Sequence, residues 1–306
     1  MDASVRTSPR SGVRLERFKS KYLKPQTLTS VLWVIVRAII LLGLCYIILY
    51  PFFIKIINAF KTYSDFIDPT VRFLPKNFTL DNIKHVINEM NYWTTLRNTV
   101  VICLILSPLQ TLVCAVTGYG FARFRFKLRG ICFFLVIFSL IVPSQTILLP
   151  LYLKFKTFLG VFNLIGTPWP LVIMSLTGLG IKNGLYIFMF RQFFRNMPKE
   201  LEEASYLDGC GTVRTFTKIM LPAATSTMVT VFLLSLAWQW TDTVFTPRFL
   251  DDIDIMSRNV NALMQSAGKP IEVANYVNIG AVLAVIPIAL VYIVLQKFFV
   301  ESIDRA

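Results

Sequence analysis

Residues 200–222 read ELEEASYLDGCGTVRTFTKIMLP, a charged stretch that lies between two long apolar parts of the chain. Three glutamates fall in its first turn, where the partial positive charge of a helix N-terminus favours acidic side chains. The pattern predicts a short helix over residues 199–208, because Gly209 follows it and glycine commonly ends a helix in a left-handed conformation. A second short helix is predicted over residues 212–220. The stretch is therefore expected to form a helix-turn-helix.

One face of the first predicted helix is small and mildly apolar, since Leu201, Ala204, Ser205 and Leu207 recur near helical spacing. A helix that lies on a membrane surface usually carries large apolar residues opposite lysines and arginines. Small residues instead allow close docking into a groove of another protein. The composition favours a helix that docks into a groove of a soluble partner. An amphipathic connector on the membrane surface is the alternative.

The composition of the whole chain is that of a membrane protein. The 306 residues are 55% hydrophobic and 16% charged, with a mean hydropathy of +0.61. Soluble domains carry about 25% charged residues, so a polytopic membrane protein is predicted. The formal net charge of +14 does not indicate a nucleic-acid partner, because the basic residues cluster beside apolar segments. The five cysteines form no CxxC pair and predict neither a zinc site nor a disulfide framework.

Six apolar segments predict an all-α protein with six transmembrane helices. A spanning helix needs ~20 mostly apolar residues, and the long runs lack the strict alternation of barrel strands. The predicted spans are residues 31–57, 96–122, 131–153, 168–190, 223–245 and 276–298. The corresponding organisation is a basic tail (1–30), a first transmembrane helix (31–58), an extracellular segment (59–95), a core (96–298) that contains the loop 192–222, and a second tail (299–306).

Basic residues predict the orientation. Positively charged short loops stay in the cytoplasm. The tail 1–30 is strongly basic, and the loop after the second span carries four basic residues between Arg123 and Arg129. Both termini and the loop 192–222 are therefore expected in the cytoplasm of a cell-membrane protein. The acidic residues 251–254 are expected outside.

A proline interrupts the third predicted span and suggests a polar path. Pro143 frees a backbone carbonyl, which is tolerated where it faces protein or a watery cavity. Ser144 and Gln145 follow it and are candidates to line a translocation path. The alternative is that both side chains form hydrogen bonds to a neighbouring helix.

The charged stretch resembles the EAA loop of importer-type ABC permeases. The family pattern is EAA, three residues, G, nine residues, I, one residue and LP. This chain matches it from Glu203 to Pro222, with Ser205 in place of the second alanine. The segments RQFFRNMPKELEEASYLDG, NTVVI, GYGFARFRF and IVPSQTILLPLYL resemble the carbohydrate branch, especially the smaller permease subunit of maltose-type systems. The resemblance covers about residues 70–300.

The resemblance implies a type I ABC importer permease fold in which the loop is a cytoplasmic coupling helix. In the family this loop docks into a cleft of an ATPase and transmits nucleotide-driven closure to the spans. The implied coupling residues are Glu203, Ala204, Ser205, Asp208, Gly209, Ile219, Leu221 and Pro222. Glu203 would pair with basic groups of the ATPase, and Gly209 would form the turn. The implied partners are a second homologous permease, two cytosolic ATPase subunits, an extracellular solute-binding protein and membrane lipid.

Two departures from the family pattern concern the second half of the chain. Trp240-Thr241-Asp242 stands where relatives usually have Trp-Asn-Asp, and Trp240 and Asp242 are further candidates for the translocation path. Residues 299–306, FVESIDRA, lack the glycine-containing basic tail common in this branch.

The chain is not expected to be an enzyme, and its sequence pattern indicates no catalytic residue, metal or cofactor. Gly268-Lys269 lacks the upstream glycine of a P-loop, so ATP hydrolysis is expected in separate subunits. An integral-membrane hydrolase or transferase would need clustered catalytic groups, and His85 is the single histidine. The acidic residues 251–254 are interpreted as a solvated loop. An ion-coupled carrier, which would favour acids in mid-span, is the other alternative. The resemblance to the carbohydrate branch implies import of a sugar or oligosaccharide and leaves its identity open.

Overall fold

The computed structural model describes residues 25–304, and most of these residues are helical. Strands are absent from that range, where two isolated bridges join Lys61 to Phe78 and Phe158 to Phe162. The all-α fold class is therefore confirmed. The predicted tail 1–30 lies mostly outside the described residues.

The chain divides into two units between Ile57 and Asn58. The described part of the first unit is helix α1 (Pro25–Ala59), whose last two residues belong to the second unit. Its part from Ser30 to Ala59 is long and apolar enough to cross a membrane. The first predicted span is therefore helical in the structure, and its crossing of a membrane stays a prediction.

The second unit begins with a polar segment that contains α2 (Tyr63–Ile67) and α3 (Asp81–Glu89). Asp65 is buried there and accepts a hydrogen bond of 3.0 Å from the backbone N–H of Asn77. Lys76 donates a hydrogen bond to Asp68, and this contact holds the pKa of Asp68 well below its usual value. Polar contacts within the segment therefore contribute to its fold, together with the apolar packing of Val86 and Met90 against Ile279 of the C-terminal part of the chain.

The long helix α4 (Tyr92–Arg123) is the centre of the second unit. It packs against α8 (Asn183–Asn196) and α11 (Thr225–Trp240) around a core that includes Cys114, Tyr186 and Val231. Gly118 permits the close crossing of α4 and α8, because a Cβ there would lie 2.5 Å from the Cβ of Phe190. α4 confirms the second predicted span.

The third predicted span is bent rather than straight. Residues Arg129–Ile141 form α5 and Ser144–Lys156 form α6, with an angle of 105° between them. The break contains Pro143, which has an extended backbone and precedes the first residue of α6. A proline cannot donate the backbone hydrogen bond that would continue α5. Pro143 therefore lies at a corner and not in the middle of a straight helix.

The fourth predicted span, residues 168–190, is wrong as a continuous helix. It consists of α7 (Trp169–Leu176) and the beginning of α8, which starts at Asn183. Between them Gly178 and Lys182 have positive φ angles of 75° and 61°. A left-handed backbone ends an α-helix, so the two helices are separate.

The remaining helices belong to the charged stretch and to the C-terminal part of the second unit. They are α9 (Glu200–Leu207), α10 (Thr212–Ala223, with a π-helical turn at Phe216–Met220), α11, α12 (Thr246–Phe249), α13 (Met256–Ala262) and α14 (Pro270–Asp304). α14 confirms the sixth span and continues past the predicted boundary at 298. α10 and α11 meet at 76° where the fifth span was predicted. The described residues thus contain three uninterrupted helices and two bent pairs that can cross a membrane, and the count of six stays a prediction.

Candidate functional site

The charged stretch forms a helical hairpin, residues 200–223, made of α9, a short turn and α10. Gly209 has a φ of +79°, as predicted for a glycine that ends a helix. Its backbone N–H donates to the carbonyl of Tyr206, and the N–H of Cys210 donates to that of Ser205. These two bonds define a Schellman motif, which satisfies the last carbonyls of α9 and reverses the chain.

A buried hydrogen bond joins the two arms of the hairpin. The hydroxyl oxygens of Ser205 on α9 and Thr215 on α10 lie 2.8 Å apart. Thr215 also donates to the carbonyl of Gly211 at 3.2 Å, so the Ser205 hydroxyl is the donor in its bond to the Thr215 oxygen. Ser205, the one departure from the EAA pattern, therefore fastens the hairpin with a contact that alanine cannot make.

The hairpin is held to α4 by Glu202, which points inward. The hydroxyl of Tyr119 donates a 2.7 Å hydrogen bond to one carboxylate oxygen of Glu202. The Nε of Arg123 lies 3.1 Å from the other oxygen, and the two side chains are 8% and 11% exposed. Arg123 also donates to the carbonyl of Met197, just before the hairpin. We call Tyr119, Arg123 and Glu202 the latch.

Aromatic rings pack beside the latch. The ring of Tyr119 lies 4.8 Å from that of Phe216 on α10 and 5.4 Å from that of Phe194 on α8, centroid to centroid. The ring of Tyr119 on α4 is thereby in contact with both the hairpin and α8. Packed interiors transmit small displacements because they deform little.

The outer face of the hairpin is exposed and mixes acidic and apolar groups. Leu207 at the tip is 89% exposed and Val213 is 76% exposed. Among the predicted coupling residues, those on the exposed surface are Glu203, Ala204, Asp208, Gly209 and Pro222. Ser205 is buried, and Ile219 and Leu221 are partly buried. The predicted set is therefore divided between an outer face and an inner one.

The predicted path residues do not form one group. Ser144 lines a cleft of about 360 Å³ between α5, α6 and the start of α8, and Gln145 is exposed. The indole N–H of Trp240 donates to the carbonyl of Ala284 at 3.0 Å. The carboxylate of Asp242 accepts bonds from the backbone N–H groups that follow it, including Thr246 at 2.6 Å. Trp240 and Asp242 thus hold local structure, and their part in a path stays a prediction.

A buried polar group in the core was missed by the sequence analysis. Gln110 on α4 accepts a hydrogen bond from Ser235 on α11. Asn183, at the start of α8, lines the same cleft as Ser144, and its amide is buried without a partner. The hydroxyl of Ser107 on α4 is likewise buried and unpaired. The signal available in the sequence was a glutamine in the middle of an apolar span.

Metal-ligating side chains are dispersed in the described part of the chain. Residues 30–296, whose side chains the structure describes, contain no group of three or more histidine, cysteine, aspartate or glutamate residues that could hold a metal ion. His85 lies 2.7 Å from Glu89, one turn later in α3. Asp254 accepts a hydrogen bond from Asn259.

Comparison with known proteins identifies the family. The model of the binding-protein-dependent transport system inner membrane component matches residues 114–305. That match covers well over half of the chain, so the protein belongs to this family. With its several apolar helices, it is a multi-pass membrane protein.

Individual relatives agree with this assignment. A putative ABC transporter permease, ORF2 of Caldicellulosiruptor sp. (strain Rt8B.4), is 31% identical over 64% of this chain and 68% of its own. The arabinooligosaccharides transport system permease AraQ of Halalkalibacterium halodurans is 26% identical over 85% of this chain and 91% of its own. A chain from the crystal structure of a bacterial ABC transporter that imports the acidic polysaccharide alginate superposes with a TM-score of 0.69 at 19% identity. The superposition covers 89% of this chain and 98% of the alginate transporter chain, and it supports the fold assigned here.

Proposed function

We propose that this chain is the transmembrane permease subunit of an ATP-driven importer of a sugar or oligosaccharide. The family assignment supports transport, and the arabinooligosaccharide permease among its relatives supports a carbohydrate. The observation that carries the coupling mechanism is the helical hairpin, whose outer face is exposed while its inner face is fixed to α4 by the latch.

In this mechanism the hairpin transmits movement from an ATPase to the membrane-spanning helices. Glu203 and the exposed tip around Leu207 dock into the ATPase, and closure of two ATPase subunits displaces the hairpin. Glu202 passes the displacement to Tyr119 and Arg123 at the end of α4 through contacts of 2.7 and 3.1 Å. A buried ion pair with a second hydrogen bond resists separation, because parting it leaves a charge buried without a partner.

The substrate path lies beside the bent pair α5–α6. The cleft of about 360 Å³ offers polar groups from Ser144 and Asn183, and Gln110 lies nearby on α4. Hydroxyl and amide groups suit the hydroxyls of a sugar. A second homologous permease forms the other half of the path. An extracellular solute-binding protein delivers the substrate to the polar segment 59–95.

The energy source tests this proposal against the ion-coupled carrier. Cells that carry the complete transport system are depleted of ATP while the ion gradients are clamped, and uptake of labelled oligosaccharide is measured. We expect uptake to stop, because this mechanism takes its energy from ATPase subunits. Uptake that continues at the parent rate under these conditions would identify an ion-coupled carrier.

Orientation gives a separate prediction. Cys210 at the hairpin turn is partly exposed and should react with a membrane-impermeant maleimide only after the cells are permeabilised. A matched probe is Leu74→Cys in the outer segment, where Leu74 is 78% exposed, and this cysteine should react in intact cells. The measurement is labelling of each variant with the other cysteines replaced by serine. Labelling of Cys210 in sealed cells would reverse the proposed topology.

A further inference from the structure

Three arginines lie at the end of the bundle that carries the hairpin, and carboxylates do not neutralise them. Arg129 begins α5, and Arg191 and Arg195 lie in the last turns of α8. α5 and α8 pack against each other, and the like charges of Arg129 and Arg195 oppose the charge of Arg191. Ion pairs with carboxylates are absent for all three among the side chains of residues 30–296, whereas nearby Arg123 is paired with Glu202.

The central member of this three-arginine cluster is held in place by an aromatic ring. The guanidinium carbon of Arg191 lies 3.9 Å from the ring centroid of Phe133 on α5. The Nε of Arg191 is fully buried and has no hydrogen-bond partner. A buried donor without a partner is costly, and three like charges that converge raise that cost. An anion bound to the guanidinium groups offsets the repulsion between the three charges.

The surface beside the cluster identifies the kind of anion. Along α5, the first turns after Arg129 present large exposed apolar side chains, among them Phe134 at 63% and Leu135 at 57% exposure. Phe188 on α8, one turn before Arg191, is also exposed. A basic cluster that continues into an apolar face matches a ligand with a negative head and hydrocarbon tails.

We propose that Arg129, Arg191 and Arg195 bind the phosphate of an anionic phospholipid whose acyl chains lie along the exposed face of α5. Arg191 supplies the terminal nitrogens of its guanidinium, and its stacking on Phe133 keeps the planar group fixed for charge-assisted hydrogen bonds to phosphate oxygens. Arg129 and Arg195 supply the surrounding positive charge. The site fastens the ends of α5 and α8 to the lipid surface on the side of the hairpin.

Lipid titrations of the full-length protein test the proposal by native mass spectrometry. Phosphatidylglycerol is compared with phosphatidylcholine of the same acyl chains, and inorganic phosphate is titrated separately. We expect tighter binding of phosphatidylglycerol, and a loss of about fivefold in that preference for Arg191→Gln, since each basic residue contributes about that factor at an anionic surface. Arg195→Gln, at an exposed position, should lose less, and Arg191→Lys should keep part of the preference. Arg214→Gln on α10 is the matched control and should bind lipid as the parent does.

Each of the other possible outcomes contradicts the proposal that the three arginines bind a phospholipid. Equal binding of the two lipids, or an unchanged preference in both Arg191→Gln and Arg195→Gln, would overturn the site. Inorganic phosphate that binds as tightly as phosphatidylglycerol, and through Arg191, would assign the cluster to a free anion. Loss of ATPase attachment with the lipid preference intact would make it a protein surface. Retained helicity by circular dichroism shows that each variant is folded.

Discussion

Glu202→Ala should uncouple the hairpin from the core and abolish most uptake, although the protein still inserts in the membrane. The substitution removes the acceptor of Tyr119 and leaves Arg123 buried with an unpaired charge. Breaking a buried ion pair in this way costs about 3–5 kcal/mol. The amides of residues 200–222 should therefore exchange with deuterium at least ~100-fold faster, because ~1.4 kcal/mol is a factor of ten.

Glu203→Ala is the matched control, because Glu203 is the next residue of the same helix and is exposed. Its removal should leave hydrogen exchange in the hairpin near the parent rate. If Glu203 pairs with the ATPase, recovery of that subunit should fall. The two neighbouring glutamates thus separate the inner contact of the hairpin from the outer one. Parent-like exchange in Glu202→Ala would show that the latch does not hold the hairpin.

A double substitution distinguishes the charge from the packing. Arg123→Leu combined with Glu202→Leu removes both charges and keeps apolar volume in the buried position. Such replacements of buried ion pairs are often neutral or stabilising. We expect slow exchange in the hairpin to return in part in the double variant, in contrast to Glu202→Ala alone, because the charge is gone but the Tyr119 hydroxyl still lacks its acceptor. Fast exchange in both would mean that the polar geometry, and not merely the absence of an unpaired charge, stabilises the contact.

Local patterns made the hairpin predictable from the sequence. The glutamates of the first turn and Gly209 act within a few residues, and the structure has α9, the left-handed glycine and α10 in that order. The latch was not predictable in the same way. Tyr119 and Glu202 are 83 residues apart, and the partner of an inward-facing glutamate is set by how α4 packs against the hairpin. The sequence analysis singled out Glu203 and passed over its buried neighbour.

The errors in the predicted spans have a similar cause. Hydropathy identified residues 168–190 as apolar, but it does not record that Lys182 takes a left-handed backbone before α8 begins. Pro143 was recognised as a breaker, yet the 105° angle at this point is decided by the packing of α5 and α6 on other helices. The contact of Gln110 with Ser235 spans 125 residues and depends on the same packing.

Gly209→Asp should insert normally in the membrane, lose most ATPase attachment and stop uptake, with Gly209→Ala showing the same loss more mildly. Within this chain a Cβ at Gly209 meets nothing within 4 Å. The intrachain cost is therefore the left-handed backbone alone, about 1 kcal/mol. A loss of attachment beyond roughly fivefold must come from a partner that packs against the exposed turn. The paired measurements are ATPase recovery and the uptake rate, each normalised to subunit abundance.

Gly160 provides the matched control for backbone strain. Its φ of +78° almost equals the +79° of Gly209, and a Cβ there also meets nothing within 4 Å. Gly160→Asp therefore imposes the same local strain and the same charge in the loop between α6 and α7, outside the hairpin. Gly160→Asp should recover the ATPase at the parent level, so that the difference between the two variants measures the partner contact. If both variants recover the ATPase equally and Gly209→Asp transports at the parent rate, the hairpin does not dock there and is a surface connector.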